Sequence, residues 1–117
     1  MGWGNVELEP EVRDWLEGLS TEHFARSAFY LDLLAEEGVL LGEPYTKHLG
    51  GKLRELRFHL DSQAIRLTYW IAPHRRIIVL TVFAKTRTRE RLELQRAADA
   101  MQRCVREAHV ADEESEV

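Results

Sequence analysis

From Leu53 the chain alternates with a period of two: Leu56, Phe58 and Leu60 fall on one side of an extended segment, Arg57 and His59 on the other. The stretch from Ala64 repeats the pattern, with Ile65, Leu67, Tyr69 and Ile71 on one face and Arg66, Thr68 and Trp70 on the opposite one. Ile77 to Phe83 is apolar on both faces, which predicts a strand covered from both sides. Asp61-Ser62 and Ala72-Pro73-His74-Arg75 supply the turns between these strands. Upstream the period becomes helical. Val12, Trp15, Leu16 and Leu19 follow Pro10 in a short helix ending near Gly18. Phe24, Ala28, Leu31, Leu34 and Ala35 then mark a longer helix, capped by Ser20 or Thr21 and terminated at Gly38. Residues 3–8 predict a short edge strand interrupted by Gly4, and residues 39–52, with Pro44 and Gly50-Gly51, read as a connection. Thr88 is the expected cap of a last helix in which Leu92, Ala97 or Ala98, Met101, Val105 and Ala108 recur. The order is β-α-α-β-β-β-α, an α+β fold in which helices cover a mainly antiparallel sheet.

At 117 residues the chain makes one domain, expected over residues 1–111 with an acidic, frayed tail at 112–117. A chain of this size buries about 65% of its unfolded surface, so neither a disulfide nor a structural metal is needed to hold it. Cys104 is the single cysteine and sits at helical spacing, the pattern of a buried structural thiol in a reducing, cytoplasmic setting. Five scattered histidines and one cysteine show no ligand spacing for zinc, so no metal and no cofactor is expected. The N-terminus lacks a secretory apolar run, and no stretch approaches the ~18 apolar residues of a membrane span.

The net charge of −4 hides a segregation. Counting Lys and Arg against Asp and Glu, residues 1–44 carry 2 against 10, residues 45–91 carry 11 against 3, and residues 92–117 carry 3 against 7. A local basic field attracts an anionic ligand whatever the overall sum; alternatively, the acidic ends neutralise the centre in the folded state.

Hairpin geometry turns the basic centre into a constellation. With Asp61 and Ser62 as the two loop residues, Leu56 pairs with Leu67, Phe58 with Ile65, and Arg57 directly with Arg66. Like charges opposed across a sheet destabilise it unless something compensates. An anion bound by two guanidinium forks is one compensator; Glu55, or an acidic residue of the last helix such as Glu93, is another. Placing Pro73 and His74 at the next turn puts Thr81 beside Arg66 and Phe83 beside Ala64, with Lys85 emerging on the same face. Arg57, Arg66, His59 and Lys85 then spread over roughly 13 Å, the reach of two or three nucleotide phosphates. His59 is the candidate base by its face and because imidazoles titrate near neutral pH. Tyr69 falls on the core face, while Trp70 either stacks on a base or packs under the last helix.

The run Leu41-Gly-Glu-Pro, Lys47-His-Leu-Gly-Gly-Lys-Leu-Arg-Glu-Leu-Arg-Phe, then Ile65-Arg-Leu-Thr-Tyr and Val82-Phe-Ala-Lys85, resembles the phage-derived Gp49-like proteins. These are HigB-type members of the RelE/ParE toxin superfamily, and the resemblance covers roughly residues 5–108. It implies a RelE-like fold: a twisted sheet with two N-terminal helices packed on it. It implies the toxin of a type II toxin–antitoxin system, a metal-independent endoribonuclease that cleaves mRNA on the ribosome, and a helix-turn-helix antitoxin as partner. In that chemistry the ribose 2′-hydroxyl attacks the adjacent phosphate, leaving a cyclic phosphate and a 5′-hydroxyl. By motif, Arg57, Arg66 and Lys85 match the family's basic positions, and Lys47, Lys52, Arg54, Arg87 and Arg89 are candidate RNA-binding residues. Two departures stand out: Thr86 occupies the place where many relatives carry a second lysine, and no tyrosine follows Tyr69 to serve as base. The competing function is non-nucleolytic: a gyrase poison, as in the ParE branch, or a degenerate module that only binds its antitoxin.

Overall fold

The computed structural model describes residues 2–115, with side chains through Glu107. The elements are β1 (Asn5–Leu8), α1 (Pro10–Glu17), α2 (Thr21–Glu37), β2 (Thr46–Gly50), β3 (Leu53–Leu60), β4 (Gln63–Ala72), β5 (Arg76–Ala84) and α3 (Glu90–Ser115). The expected α+β architecture is present, with one strand more than the hydrophobic pattern predicts. The acidic tail expected at 112–117 falls on residues without described side chains, and its last two residues lie outside the described chain.

Local chemistry explains the helix ends. Pro10 sits in the first turn of α1, where its missing N–H costs nothing. The Ser20 hydroxyl accepts a hydrogen bond from the His23 N–H at 3.2 Å, so Ser20 rather than Thr21 caps α2. Gly38 ends α2 at a φ of 53°, and a Cβ there would lie 2.1 Å from the Trp3 ring, so only glycine fits. At α3 the Arg89 carbonyl accepts the first helical bond, from the Glu93 N–H at 3.0 Å. Thr88 therefore lies one residue before the cap position it was expected to fill.

The sheet runs in the order β1-β5-β4-β3-β2. β1 lies parallel to β5, and the other neighbours are antiparallel. α1 and α2 cover one face over a core of Val12, Leu16, Leu31, Leu34, Leu56, Phe58, Leu67, Tyr69, Ile77 and Val79. α3 covers part of the other over Leu53, Trp70, Ile78, Leu80, Ala97, Ala100 and Cys104. β5 feeds both cores, as its two-sided apolar pattern requires. Trp70 is a packing residue, with its indole N–H 3.3 Å from the Cys104 sulfur.

β2 corrects the expectation of a plain connection over residues 39–52. Its burial is irregular and mostly exposed, the profile of an edge strand whose side chains carry no apolar alternation. The β3–β4 register is the one expected, with Arg57 opposite Arg66. The β4–β5 register is not: Thr81 pairs with Thr68 and Phe83 with Arg66, in place of Arg66 and Ala64. The turn spends three residues, Pro73–Arg75, with His74 at φ 67° and Arg75 at φ 56°. A bulge beside Thr68 and Tyr69 then adds one more residue on β5. The two increments sum to a two-residue slip, and a slip of two leaves every side chain on its original face. Phe83 therefore stays on the Arg66 side, and Lys85 follows it: its N–H donates to the Ala64 carbonyl at 2.8 Å, continuing the register by one pair.

Candidate functional site

The face of β3, β4 and β5 that looks toward α3 is ordered in rows. Trp70 and Ile78 lie beside Leu53 at the apolar end. Glu55, Thr68 and Thr81 form the next row, Arg57, Arg66 and Phe83 the one after, and His59, Ala64 and Lys85 the last. Successive rows are about 6.6 Å apart along a strand. Strand alternation thus brings Arg57, Arg66, His59 and Lys85 to one face, at the end α3 leaves open.

Two guanidinium groups share one carboxylate there. Arg66 is buried and Arg57 half-buried, and the Nε of each lies 3.7 Å from Glu55 Oε1. That separation is an ion contact beyond hydrogen-bond distance. Arg66 Nη1 also donates to the Ile65 carbonyl at 3.1 Å. Arg57 Nε and Glu55 Oε2 are buried with no hydrogen-bond partner. Burial pushes the Glu55 carboxyl above its ordinary value, with Arg66 and Arg57 opposing the shift, and burial likewise lowers Arg66, helped by Arg57. Counting formal charges, Arg57, Arg66 and Glu55 carry a net +1. Glu55 is therefore the partial compensator that the sequence offered as one alternative. Glu93 is not, because it engages Arg96 at 2.9 Å.

The remaining expected residues divide. Lys85 and His59 are exposed at the basic end. Lys47 pairs across the ladder with Glu55 and contributes to the field on that carboxylate. Lys52 lies at the β2–β3 turn beyond the apolar end, and Arg87 and Arg89 are exposed between β5 and α3. Arg54 is on the wrong face: it pairs with Tyr69, and its Nη2 lies 3.5 Å from Thr46 Oγ1. One-residue alternation from Arg57 already forbids a place for Arg54 in the cluster.

The arginine cluster opens onto a cleft of about 340 Å³ that wraps the edge of β3. Beyond Thr46 that edge has no strand neighbour among the described residues; the Arg57 N–H donates to the Tyr45 carbonyl at 2.8 Å, and Arg26 Nε donates to the His59 carbonyl at 2.6 Å. Arg26 and Tyr30 from α2, Pro44 and Tyr45 from the connection, and Arg57, Phe58, His59 and Arg66 line it. Arg26, Tyr30 and Tyr45 were not singled out from sequence. The available signal was charge: Arg26 is one of only two basic residues before position 45. Among the described residues no group of three or more His, Cys, Asp or Glu side chains comes together as a metal site, and no helix is long and apolar enough to cross a membrane.

This arrangement can hold an oxyanion between fixed cations beside an imidazole, and it sits on a fold with solved counterparts. The toxin–antitoxin complex RelBE2 from Mycobacterium tuberculosis contains a chain that matches at a TM-score of 0.54 and 20% identity, covering 70% of this chain and 98% of that one. A mutant of the E. coli toxin RelE in the free state matches at a TM-score of 0.56 and 16% identity, covering 88% of this chain and 98% of that one. The fold is RelE-like. The sequence profile of the phage-derived Gp49-like proteins matches residues 14–105, and the chain belongs to that family. No curated protein matches it in sequence.

Proposed function

We propose that the protein is the toxin of a type II toxin–antitoxin pair, of HigB type, acting in the cytoplasm as a ribosome-dependent mRNA endonuclease. The observation that carries this reading is the Arg57–Arg66 pair, opposed across β3 and β4 and compensated by the single carboxylate of Glu55. A bridging phosphate supplies the missing negative charge and acceptor atoms for guanidinium N–H groups. In the reaction the 2′-oxygen bonds to phosphorus as the bond to the 5′-oxygen breaks. His59 takes the proton of the 2′-hydroxyl and its imidazolium returns that proton to the 5′-oxygen, so no water is consumed. Arg57 and Arg66 stabilise the charge that builds on the phosphorane oxygens, and Lys85 adds to the field from the neighbouring row. Kinship of fold with a RelE chain solved in a toxin–antitoxin complex supports an antitoxin partner, which we take to be a helix-turn-helix protein.

The test is expression without an antitoxin, followed by mapping of message ends. Codon-phased cuts and growth arrest are expected, with Arg57→Ala relieving both while the protein stays folded. Full toxicity of a folded Arg57→Ala would sink the site. A second reading, a non-nucleolytic module or gyrase poison, is favoured by Glu55, which already neutralises half of the arginine pair. Intact messages accompanied by DNA breaks would select it.

A further inference from the structure

We propose that the cleft over the β3 edge is a nucleobase subsite for single-stranded RNA, in which the base next to the arginine-held phosphate stacks on Tyr45. This rests on RNA being the ligand of the Arg57–Arg66 pair and names the part of it that the cleft grips.

The lining of the cleft combines ring faces with guanidinium groups. Phe58 stacks on Tyr30 with centroids 4.9 Å apart and planes at 7°, and Phe29 meets Tyr30 edge-on at 5.2 Å. Tyr30 is thereby held from two sides. Tyr45 stands 6.4 Å from Tyr30 at 41°, so the two rings open as a wedge, and 41% of Tyr45 is exposed. The Arg26 guanidinium lies 5.5 Å from the Tyr30 ring centre while its Nε is tied to the His59 carbonyl. Aromatic and guanidinium planes side by side are what an unpaired base and its phosphate require together. An acidic peptide would use the cations but gain nothing from an open ring face. About 340 Å³ is room for one nucleotide, and a base can meet the Tyr45 ring face only when it is unstacked from its neighbours, as in a single strand. Arg57 and Arg66 line the same cleft, so base and phosphate sites are contiguous.

Tyr45 can be tested without disturbing the backbone that positions it, because its carbonyl bond to the Arg57 N–H survives side-chain replacement. The probe is a fluorescein-labelled hexaribonucleotide made uncleavable by 2′-O-methylation, titrated at low salt and read by anisotropy. Tyr45→Ala and the volume-keeping Tyr45→Leu should each weaken binding by about 5- to 150-fold, the equivalent of one lost stacked base, while Tyr45→Phe binds as the wild type. An abasic residue scanned along the probe should produce the same loss at one position, and there Tyr45→Leu should cost nothing further. Binding by Tyr45→Leu within two-fold of wild type, or an equal loss on the fully abasic probe, overturns the subsite. Displacement of the RNA by poly-glutamate at matched charge also overturns it and assigns the cleft to a protein. Because the probe cannot be cut, base stacking without ribosomal cleavage upholds the subsite and removes the endonuclease reading. Cleavage without stacking removes the subsite alone.

Discussion

One sheet face serves as core at one end and as candidate site at the other. Under α3, Trp70, Ile78 and Leu80 are buried against Ala97, Ala100 and Cys104. Two rows further on, the same alternation delivers Arg57 and Arg66, and one row beyond them His59 and Lys85. Between them lies a polar seam of Glu55, Thr68 and Thr81, all buried, with the two threonine hydroxyls 2.5 Å apart. The β3–β4 ladder keeps one register throughout and, of these three strands, only β5 bulges, beside Thr68 and Tyr69, so the change of role comes from side-chain identity and from how far α3 reaches. A single ladder can thus give rigidity to one end and fixed cations to the other, with the rigid end holding the cations in place.

The comparison breaks most sharply at its ends. Trp70→Ala should destabilise the fold by ~3–5 kcal/mol, because the cavity forms under a packed helix; chemical denaturation reads it. Arg57→Ala should leave the denaturation midpoint nearly unchanged while cleavage falls about 10²–10³-fold, the scale for removing one charge-stabilising donor. If the two variants exchange phenotypes, the division of the face is wrong.

Much of this division was legible in the strand period. Alternation and a two-residue turn were enough to oppose Arg57 and Arg66, because the apolar partners Leu56 with Leu67 and Phe58 with Ile65 fix the register independently. The β4–β5 register was not legible: a three-residue turn with two positive-φ residues and a bulge leave no hydrophobic signature. β2 was hidden because an edge strand of Thr46-Lys47-His48 needs no apolar side. Arg26, Tyr30 and Tyr45 join the site through tertiary folding alone, from a helix and a connection on the far side of the sheet.

The seam makes intermediate predictions. Thr68→Val strands the Thr81 hydroxyl in a buried place and should cost ~1–3 kcal/mol, whereas the double change to valine should recover part of that loss. A double-mutant cycle in denaturant measures the coupling. Glu55 gives a pH signature of smaller size. Its carboxyl is raised above 4.5 by burial, so above that value the folded state binds its proton more readily than the unfolded one. This group's contribution to stability therefore falls as pH rises from 4.5 through the raised value. Glu7, held low by Arg76, acts in the opposite sense, with its contribution lost as pH falls below 4.5. Glu55→Gln should flatten the decline above pH 4.5 and leave the acid limb unchanged. A Gln variant with the wild-type slope would show that the carboxylate stays ionised between its arginines.

The smallest effect separates the faces rather than the ends. Lys85 and Arg54 carry the same formal charge, but Lys85 is exposed on the Arg66 side, whereas Arg54 turns toward Thr46 and Tyr69. If phosphate contact follows the face, Lys85→Ala should lower the slope of log affinity against log salt by about 0.7 for single-stranded RNA. Arg54→Ala should leave that slope alone while costing some stability at the β2–β3 edge. The same oligonucleotide titrated over a salt series distinguishes them. Equal loss of slope in both variants would mean that the RNA responds to the protein's summed field, and that strand alternation does not decide which cations it meets.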